Sequence, residues 1–389
     1  MPIQLSVVGT AAAALFVAAV VALISTPVVR SLAFRIGAVD VPKDGRRMHD
    51  HPIPRMGGLA IFFGFLLSVL VFLPLSLQLR SMLLGAVVIV ILGIFDDIYA
   101  LSAKLKFVVQ IAAALIAVLG GNQITVLSNI NVFSSEPYWE LGWLSYPISV
   151  LWIVAITNAV NLIDGLDGLA CGVSTISSMT LLVIALIVSE PDVAVLTAAL
   201  AGACIGFLPY NLNPAKIFMG DTGSTFLGFV LATVSIQGLF KFYTIISFAV
   251  PFLMLALPIF DTCFAILRRV SKGQSPMAPD RGHIHHRLID MGFSQKQAVA
   301  VLYIISAILG LSAVVLTTTN VLKAMLFLLA LCVAGGVAAK LYLDRVNGHT
   351  QSDPPSQGRT GARPRKLHQP PSDVAGNDYF FGEEERSDK

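Results

Sequence analysis

Residues 169–211 read LACGVSTISSMTLLVIALIVSEPDVAVLTAALAGACIGFLPYN, which is two apolar runs separated by the polar turn Glu190-Pro191-Asp192. Each run has about 20 residues, the length with which an α-helix crosses the hydrocarbon core of a bilayer. The pattern recurs along the 389-residue chain, of which 56% is hydrophobic and 13% charged. This composition excludes a disulfide scaffold, a disordered chain and an outer-membrane barrel. We therefore predict an all-α polytopic membrane protein.

Apolar runs bounded by charged residues or by Gly and Pro predict about eleven membrane-spanning helices. They lie at residues 5–29, 57–79, 82–95, 105–120, 147–160, 169–189, 193–211, 224–240, 243–267, 298–318 and 322–343. Three of them (82–95, 105–120 and 147–160) are shorter than a bilayer requires, so either the helices extend further or the adjoining loops lie at membrane depth. We predict one membrane domain over residues 1–343. The polar, Pro- and Gly-rich residues 344–389 are expected to form a disordered tail.

Basic residues separate sharply between the two sides of this predicted topology. The odd-numbered connections and the tail hold 23 of the 26 Lys and Arg residues, and Arg80, Lys241 and Lys323 fall on the other side. Because cytoplasmic loops of membrane proteins are enriched in Lys and Arg, the basic side is predicted to be cytoplasmic, with the N-terminus outside.

Carboxylates gather on the same side, each beside the end of a span. They are Asp96, Asp97, Asp164, Asp167 and Asp221. Held close together in a partly dry site, these groups would repel one another strongly. A divalent cation commonly relieves such repulsion, and hard oxygen ligands suit Mg²⁺, with Mn²⁺ as a substitute.

The spacing of these acids favours function over a solvated surface. Asp96 and Asp97 end a span, where negative charge opposes the helix dipole, and their side chains point about 100° apart, which indicates different roles. Asn161, Asp164 and Asp167 follow at i, i+3 and i+6 in a Gly-containing turn.

The last of these five acids, Asp221, and one further aspartate, Asp261, also lie beside span ends. Asp221 opens a span in Gly-Asp-Thr-Gly-Ser, where a helix N-terminus offers N–H groups to an anion. Asp261 is open to two interpretations, a functional role or an ion pair with Arg268 or Arg269.

A basic, histidine-rich segment completes the pattern with Arg281, His283, His285, His286 and Arg287. The flanking arginines favour anion binding. A zinc site and a merely solvated loop remain the alternatives.

Two other cations belong to the same side. Arg55 lies in the loop 30–56, whose charge alone is ordinary for a cytoplasmic connection, and Lys104 follows Asp97 by seven residues and is predicted to reach the same site. Acids that suit Mg²⁺ and bases that suit phosphate, together at a membrane surface, indicate phosphoryl transfer from a soluble donor to a lipid acceptor.

Five ordered motifs make the chain resemble the polyprenyl-phosphate N-acetylhexosamine-1-phosphate transferases over about residues 1–343. The motifs are Pro54-Arg-Met-Gly-Gly58, Asp96-Asp97, Asn161-x-x-Asp164-Gly-x-Asp167-Gly168, Phe218-Met-Gly-Asp221-x-Gly-Ser224 and His283-Ile-His-His286. The resemblance implies transfer of GlcNAc-1-phosphate from UDP-GlcNAc to undecaprenyl phosphate, with release of UMP. It also implies a multi-pass protein of the bacterial cytoplasmic membrane, with its active site facing the cytoplasm, that starts a cell-envelope polysaccharide. Nucleic acid is not an expected partner, and a homo-oligomer is left open.

The resemblance also implies roles for individual residues. Asp221 and Asn161 resemble Mg²⁺ ligands, and Asp96 and Asp97 resemble the pair that engages the lipid phosphate, as base or as positioning groups. Asp164 and Asp167 resemble residues of the uridine and catalytic region.

The remaining assignments concern substrate binding. Lys104 matches a lysine near the phosphates, and Arg281, His283, His285 and His286 match residues that hold the pyrophosphate or the sugar. Arg55 and Phe218 lie within the matched motifs and are assigned to substrate binding as well.

Several alternatives remain at this stage. Arg55 before Met-Gly-Gly, and the order of the histidines, favour the WecA/TagO-like branch over the MraY branch, which uses UDP-MurNAc-pentapeptide. Direct attack and an aspartyl-phosphate intermediate are both open. A secondary transporter is the alternative outside enzymes, although the acids lie at span ends and no repeat of the pattern is visible between the two halves.

Overall fold

The computed structural model describes residues 5–41, 51–128, 138–238, 246–275 and 282–318, with residues 326, 327 and 329. Its helices are α1 Leu5–Ile36, α2 Gly58–Phe72, α3 Leu77–Tyr99, α4 Ala103–Leu119, α5 Ser145–Leu162, α6 Leu169–Ile187, α7 Pro191–Asn211, α8 Gly220–Gly238, α9 Ile246–Met254, α10 Ala256–Ser271, α11 Ile284–Asp290 and α12 Gln295–Thr318. Two antiparallel strand pairs join β1 Val39–Asp40 to β2 Ile53–Pro54 and β3 Val126–Ser128 to β4 Tyr138–Glu140.

The helical membrane class is confirmed. Six helical segments of the described residues are long and apolar enough to cross a membrane: Leu5–Ile36, Leu77–Tyr99, Gly142–Leu162, Leu169–Ile187, Pro191–Asn211 and Gln295–Thr318. The count of eleven and the sidedness stay predictions. Apart from residues 326, 327 and 329, the predicted span 322–343 and the tail 344–389 lie outside the described residues.

The predicted boundary between the second and third spans was wrong. It was placed at Arg80, but α2 ends at Phe72 and α3 begins at Leu77. Pro74 separates the helices, and the Ser76 side chain caps α3 by accepting a hydrogen bond from the Leu79 N–H at 3.1 Å. Arg80 lies inside α3 and donates to the Leu75 carbonyl, so a charge within a helix was mistaken for its end. The three spans that seemed short are longer than predicted, at 23, 17 and 18 residues.

The predicted span 243–267 is not one continuous helix over its described residues, because Leu255 separates α9 from α10. Pro258 has no N–H with which to bond the carbonyl four residues earlier, that of Met254. The Ser177 hydroxyl donates to the Met254 carbonyl at 2.9 Å instead. A neighbouring helix therefore satisfies the group that the proline leaves open.

Helix α8 is the centre of the bundle, since every residue from Thr222 to Gly238 is buried. It packs against α3, α5 and α2. Gly228 allows the approach of α5, because a Cβ there would lie 2.6 Å from the Cα of Thr157. Close helix packing through small residues is typical of membrane proteins. The buried helix presents its N-terminus to the candidate site.

Candidate active site

A cavity of about 310 Å³ lies where the end of α3, the end of α5 and the start of α8 meet. It is within the size range of small-molecule sites. Eight of the residues predicted from the sequence line it: Arg55, Asp97, Asn161, Asp164, Asp167, Phe218, Asp221 and His286. The structure thus brings together motifs that are up to about 230 residues apart in the chain.

Lys106 joins two of the predicted acids at the edge of this cavity. Its ammonium group lies 3.0 Å from Asp96 Oδ2 and 2.9 Å from Asp221 Oδ2. The other Asp96 oxygen accepts from the Leu101 N–H at 2.8 Å, which holds the turn between α3 and α4. The cation therefore lies between carboxylates that would otherwise repel each other.

Lys104 does not occupy the predicted position. Its side chain is exposed, whereas Lys106, two residues along α4, makes the contacts expected of it. Residues two apart on a helix point about 200° apart, so only one of the two can face the acids. Sequence spacing alone did not decide which.

Asp97 has a different environment from its neighbour Asp96. Its Oδ1 accepts from the Asp221 N–H at 2.9 Å, and its Oδ2 accepts from the N–H and the hydroxyl of Thr222 at 3.1 and 2.7 Å. Asp97 thus caps the N-terminus of α8 from another helix, where negative charge is favourable. The expectation that the two adjacent acids differ in role agrees with this geometry.

Gly220 makes that cap possible. Its φ is +72°, in the left-handed region that favours glycine, and a Cβ there would overlap the Asp97 carboxylate. The glycine of the Gly-Asp-Thr-Gly-Ser motif therefore serves the approach of Asp97 to the helix N-terminus.

Asn161 and Asp221 meet across the cavity. The Asn161 amide nitrogen lies 3.2 Å from Asp221 Oδ1 and 2.8 Å from the Ser224 hydroxyl. Among the described residues, no three His, Cys, Asp or Glu side chains form a ready-made metal cage. Mg²⁺ commonly takes one or two carboxylates and completes its shell with water and substrate phosphates. A carboxylate and an amide side by side in an acidic cavity fit that requirement.

Asp164 and Asp167 follow α5 and lie in different environments. Burial, followed by the negative charges of Asp221 and Asp97, raises the pKa of Asp164 to about 8. Arg55 acts in the opposite direction. Asp167 Oδ2 accepts from the Asn213 amide at 2.9 Å and from the Ala215 N–H at 3.1 Å, so it fixes the segment that leads into α8.

The motif of residues 54–58 packs directly on that segment. Main-chain hydrogen bonds join Phe218 N–H to the Pro54 carbonyl at 2.8 Å and Gly57 N–H to the Phe218 carbonyl at 2.9 Å. Arg55 forms an ion pair with Asp40 at 3.2 Å beside the cavity. Two predicted binding residues, Arg55 and Phe218, are therefore held next to each other.

The histidines occupy three distinct positions. His283 is buried and its Nδ1 lies 2.8 Å from Asp261 Oδ2. His285 is buried against Gly165, where a Cβ would overlap its imidazole, and burial followed by the His286 charge lowers the pKa of His285 to about 4. His286 lines the cavity.

Two more residues predicted near the histidines, Asp261 and Arg281, can be compared with the structure. Asp261 contacts His283 and the Ile284 N–H, where the sequence interpretation had considered Arg268 or Arg269. Arg281 lies outside the described residues.

Sequence reasoning missed several residues of the cavity. They are Asp40, Gly165, Leu166, Asn211, Met219, Gly220 and Gln295. Most of them lie within or next to recognised motifs. Asp40 and Gln295 had no such signal, since each reaches the cavity only through tertiary folding, and Gln295 contacts Asn213 at 2.8 Å.

The fold and this cavity define a polytopic membrane enzyme with an acidic site at the ends of its helices. The family profile described as glycosyl transferase family 4 matches residues 79–239. A Bacillus subtilis protein described as a probable undecaprenyl-phosphate N-acetylglucosaminyl 1-phosphate transferase is 46% identical over 79% of this chain and 85% of its own length.

Two further relatives are similar over most of their length. A decaprenyl-phosphate N-acetylglucosaminephosphotransferase of Mycolicibacterium smegmatis is 34% identical, over 76% of this chain and 79% of its own. An undecaprenyl-phosphate alpha-N-acetylglucosaminyl 1-phosphate transferase of Escherichia coli K12 is 31% identical, over 72% and 77%. The chain belongs to the polyprenyl-phosphate N-acetylhexosamine-1-phosphate transferase family, and it is a transferase.

Proposed function

We propose that the protein transfers GlcNAc-1-phosphate from UDP-GlcNAc to undecaprenyl phosphate at the cytoplasmic face of the bacterial membrane. A phosphate oxygen of the lipid forms a bond to the β-phosphorus of the donor. The bond from that phosphorus to the bridging oxygen breaks, and UMP leaves with the electron pair. The product, undecaprenyl-diphospho-GlcNAc, is the first lipid-linked intermediate of a cell-envelope polysaccharide such as lipopolysaccharide or teichoic acid.

The contact of Lys106 with both Asp96 and Asp221 carries this proposal. It places a cation between carboxylates from two helix ends, beside a cavity of about 310 Å³. A phosphoryl group in transfer carries negative charge on its oxygens, and fixed cations next to it stabilise the transition state. Lys106 supplies that charge, while Asp96 holds its ammonium group at the edge of the cavity.

Mg²⁺ is the proposed cofactor, with Mn²⁺ as a substitute, and Asp221 and Asn161 are the residues that would hold it. The bound ion supplies neutralisation of the donor pyrophosphate oxygens. Asp221 lines the cavity and its main chain is fixed by Asp97, and a bound ion would replace the Lys106 or the Asn161 contact on its carboxylate.

Direct attack by the lipid phosphate is the favoured route. The second pKa of a phosphate monoester is about 6, so the lipid phosphate is mostly ionised at pH 7 and needs no strong base. Asp97 is poorly disposed to act as a nucleophile, since both of its oxygens accept hydrogen bonds from the start of α8. Positioning and charge neutralisation then account for catalysis. A trapped phosphoenzyme on Asp96, Asp97 or Asp221 would overturn this route.

The GlcNAc donor is favoured by two observations. The relatives named above act on N-acetylglucosaminyl phosphate by their descriptions. Arg55 lies at the cavity in an ion pair with Asp40, and this arginine is the residue that distinguishes the Arg-Met-Gly-Gly motif from that of the MraY branch.

A donor-swap assay tests the proposal. Detergent-solubilised protein with Mg²⁺, undecaprenyl phosphate and UDP-GlcNAc is expected to release UMP, and Asp221→Ala is expected to abolish the release. Asp192→Ala is a matched control, since Asp192 is exposed in the first turn of α7. Activity with UDP-MurNAc-pentapeptide and none with UDP-GlcNAc would contradict the donor. Proteoliposome uptake without UMP release would instead favour a transporter.

A further inference from the structure

We infer that Asp261 is a positioning residue, which fixes His283 and thereby orients α11 so that His286 faces the cavity. The inference rests on the proposed function, because it assigns to this pair the task of ordering one wall of the donor site. The sequence motif alone gives the three histidines the same role. The inference instead assigns His286 to the cavity wall and His283 and His285 to the support of His286.

Both oxygens of Asp261 are used at the start of α11. Oδ2 lies 2.8 Å from His283 Nδ1, and Oδ1 accepts from the Ile284 N–H at 2.8 Å. Asp261 is 3% exposed and His283 is 6% exposed. His283 is the N-cap of α11 but makes no side-chain hydrogen bond to its own helix, so Asp261 supplies the capping acceptor from α10.

The path from His283 to the cavity runs through neighbouring imidazole rings, of which the first pair is stacked and the second is tilted by 45°. The His283 and His285 rings are nearly parallel, with centroids 5.7 Å apart, and the His285 and His286 centroids are 4.3 Å apart. His285 also packs on Gly165, a residue of the cavity wall. A shift of His283 is therefore expected to reach His286 through His285.

Neither Asp261 nor His283 is among the described residues that line the cavity, whereas His286 is. A carboxylate that accepts from one ring nitrogen fixes both the tautomer and the orientation of a histidine, a role known from the outer shell of metal sites. A buried acid–histidine pair is also costly to desolvate, and removing one partner leaves the other unsatisfied. The geometry is therefore that of a support.

Two substitutions of His283 separate support from direct contact with substrate. The amide nitrogen of asparagine coincides with Nδ1 of histidine, so His283→Asn keeps a donor toward Asp261. The amide of glutamine lies nearer to Nε2, so His283→Gln weakens that contact. His283→Gln and Asp261→Asn are each expected to raise the KM for UDP-GlcNAc about tenfold, with His283→Asn within about threefold of wild type. The KM for undecaprenyl phosphate should stay within about twofold in all three variants.

Thr262→Val is the matched control. Thr262 adjoins Asp261 on α10, and its buried hydroxyl has no hydrogen-bond partner in the described part of the chain, so this variant should retain wild-type kinetics. Greater impairment by His283→Asn than by His283→Gln would overturn the inference, because it would mean that the Nε2 position, which glutamine keeps and asparagine loses, acts on the substrate. Equal impairment by the two variants would also contradict it, because the donor toward Asp261 would then make no difference. An equal rise of both KM values in Asp261→Asn would overturn it as well.

Hydrogen exchange gives a readout that does not depend on turnover. The amides of residues 284–290 should exchange faster in Asp261→Asn than in wild type or Thr262→Val, because the Ile284 N–H loses an acceptor. Unchanged exchange there would overturn the positioning role. Absence of UMP release by the wild-type protein would instead overturn the proposed function, so the two failures are distinguishable.

Discussion

The carboxylate side of the cavity is tied to the chain that opens α8 and to the turn after α3, whereas its histidine side depends on an acid–histidine pair and on packed rings. Asp97 and Asp167 accept N–H groups from the segments around α8, and Asp96 accepts from the turn after α3. On the other side, His283 relies on Asp261, and His285 relies on neighbouring rings and on the close approach of Gly165. The acids are therefore positioned by the start of α8, whereas the histidines are positioned by the packing of α10 and the Gly165 turn against α11.

The largest expected effect concerns the two lysines at the start of α4. Lys106→Met removes the cation between Asp96 and Asp221 and should lower kcat about a thousandfold, the upper range for removing one preorganised charge partner. Lys104→Met makes the same chemical change on an exposed side chain and should stay within about twofold of wild type. UMP release measures both, and similar losses in the two variants would contradict the placement of Lys106.

Asp96 and Asp97 should separate in a second comparison. Asp97→Asn weakens the cap of α8 and should lower the free energy of unfolding by about 1–2 kcal/mol. Asp96→Asn should leave the melting temperature nearly unchanged but lower kcat about a hundredfold, because Lys106 loses its partner. Thermal unfolding in detergent, measured with the UMP assay on the same preparations, distinguishes the two. Equal melting temperatures would contradict the capping role of Asp97.

Some features of the fold and the site could be predicted from the sequence, and others could not. Hydropathy predicted the helical membrane class, and eight of the residues chosen from the motifs line one cavity. Helix ends were less predictable. Arg80 is a charged residue of the kind that usually marks the end of a span, but it lies inside α3. The break at Leu255 depends on Pro258 and on a hydroxyl group from another helix.

The side chain that each acid contacts could not be predicted from the sequence. Nothing in the local sequence indicates that Lys106 rather than Lys104 faces Asp221, because that choice depends on how α4 is rotated about its own axis when it packs against α3 and α5. The contact between Asp261 and His283, which are 22 residues apart, likewise arises only when α10 and α11 pack together.

A smaller effect is expected on the histidine side. Gly165→Ala places a methyl group against the His285 ring and should raise the KM for UDP-GlcNAc about tenfold, with kcat changed less. Gly9→Ala is the control, because a Cβ at Gly9 meets nothing within 4 Å. Initial rates at varied donor concentration give both constants, and an unchanged KM in Gly165→Ala would contradict the close packing of His285.

The smallest effect concerns pH. The pKa of His285 is lowered from 6.5 to about 4 by burial, so between these values the unfolded chain binds the proton more readily. The contribution of neutral, buried His285 to the free energy of unfolding is therefore fully present above pH 6.5. This contribution is lost as the pH falls, by about 2 kcal/mol from pH 7 to pH 5.

The His285→Gln variant isolates this contribution. Its melting temperature should fall less than that of the wild type over the same pH interval. Parallel profiles for the two proteins would show that His285 does not titrate in this way.

The central claim is that a phosphorylated sugar, and not the sugar alone, moves to the lipid. It is tested most directly with UDP-GlcNAc labelled with ³²P at the β-phosphorus, supplied with undecaprenyl phosphate and Mg²⁺. The label is expected to pass into the organic phase with the lipid, in equal amount to the UMP released, and to stay in the water phase with Asp221→Ala. Label retained in water-soluble UDP while the sugar moves to the lipid would contradict the account.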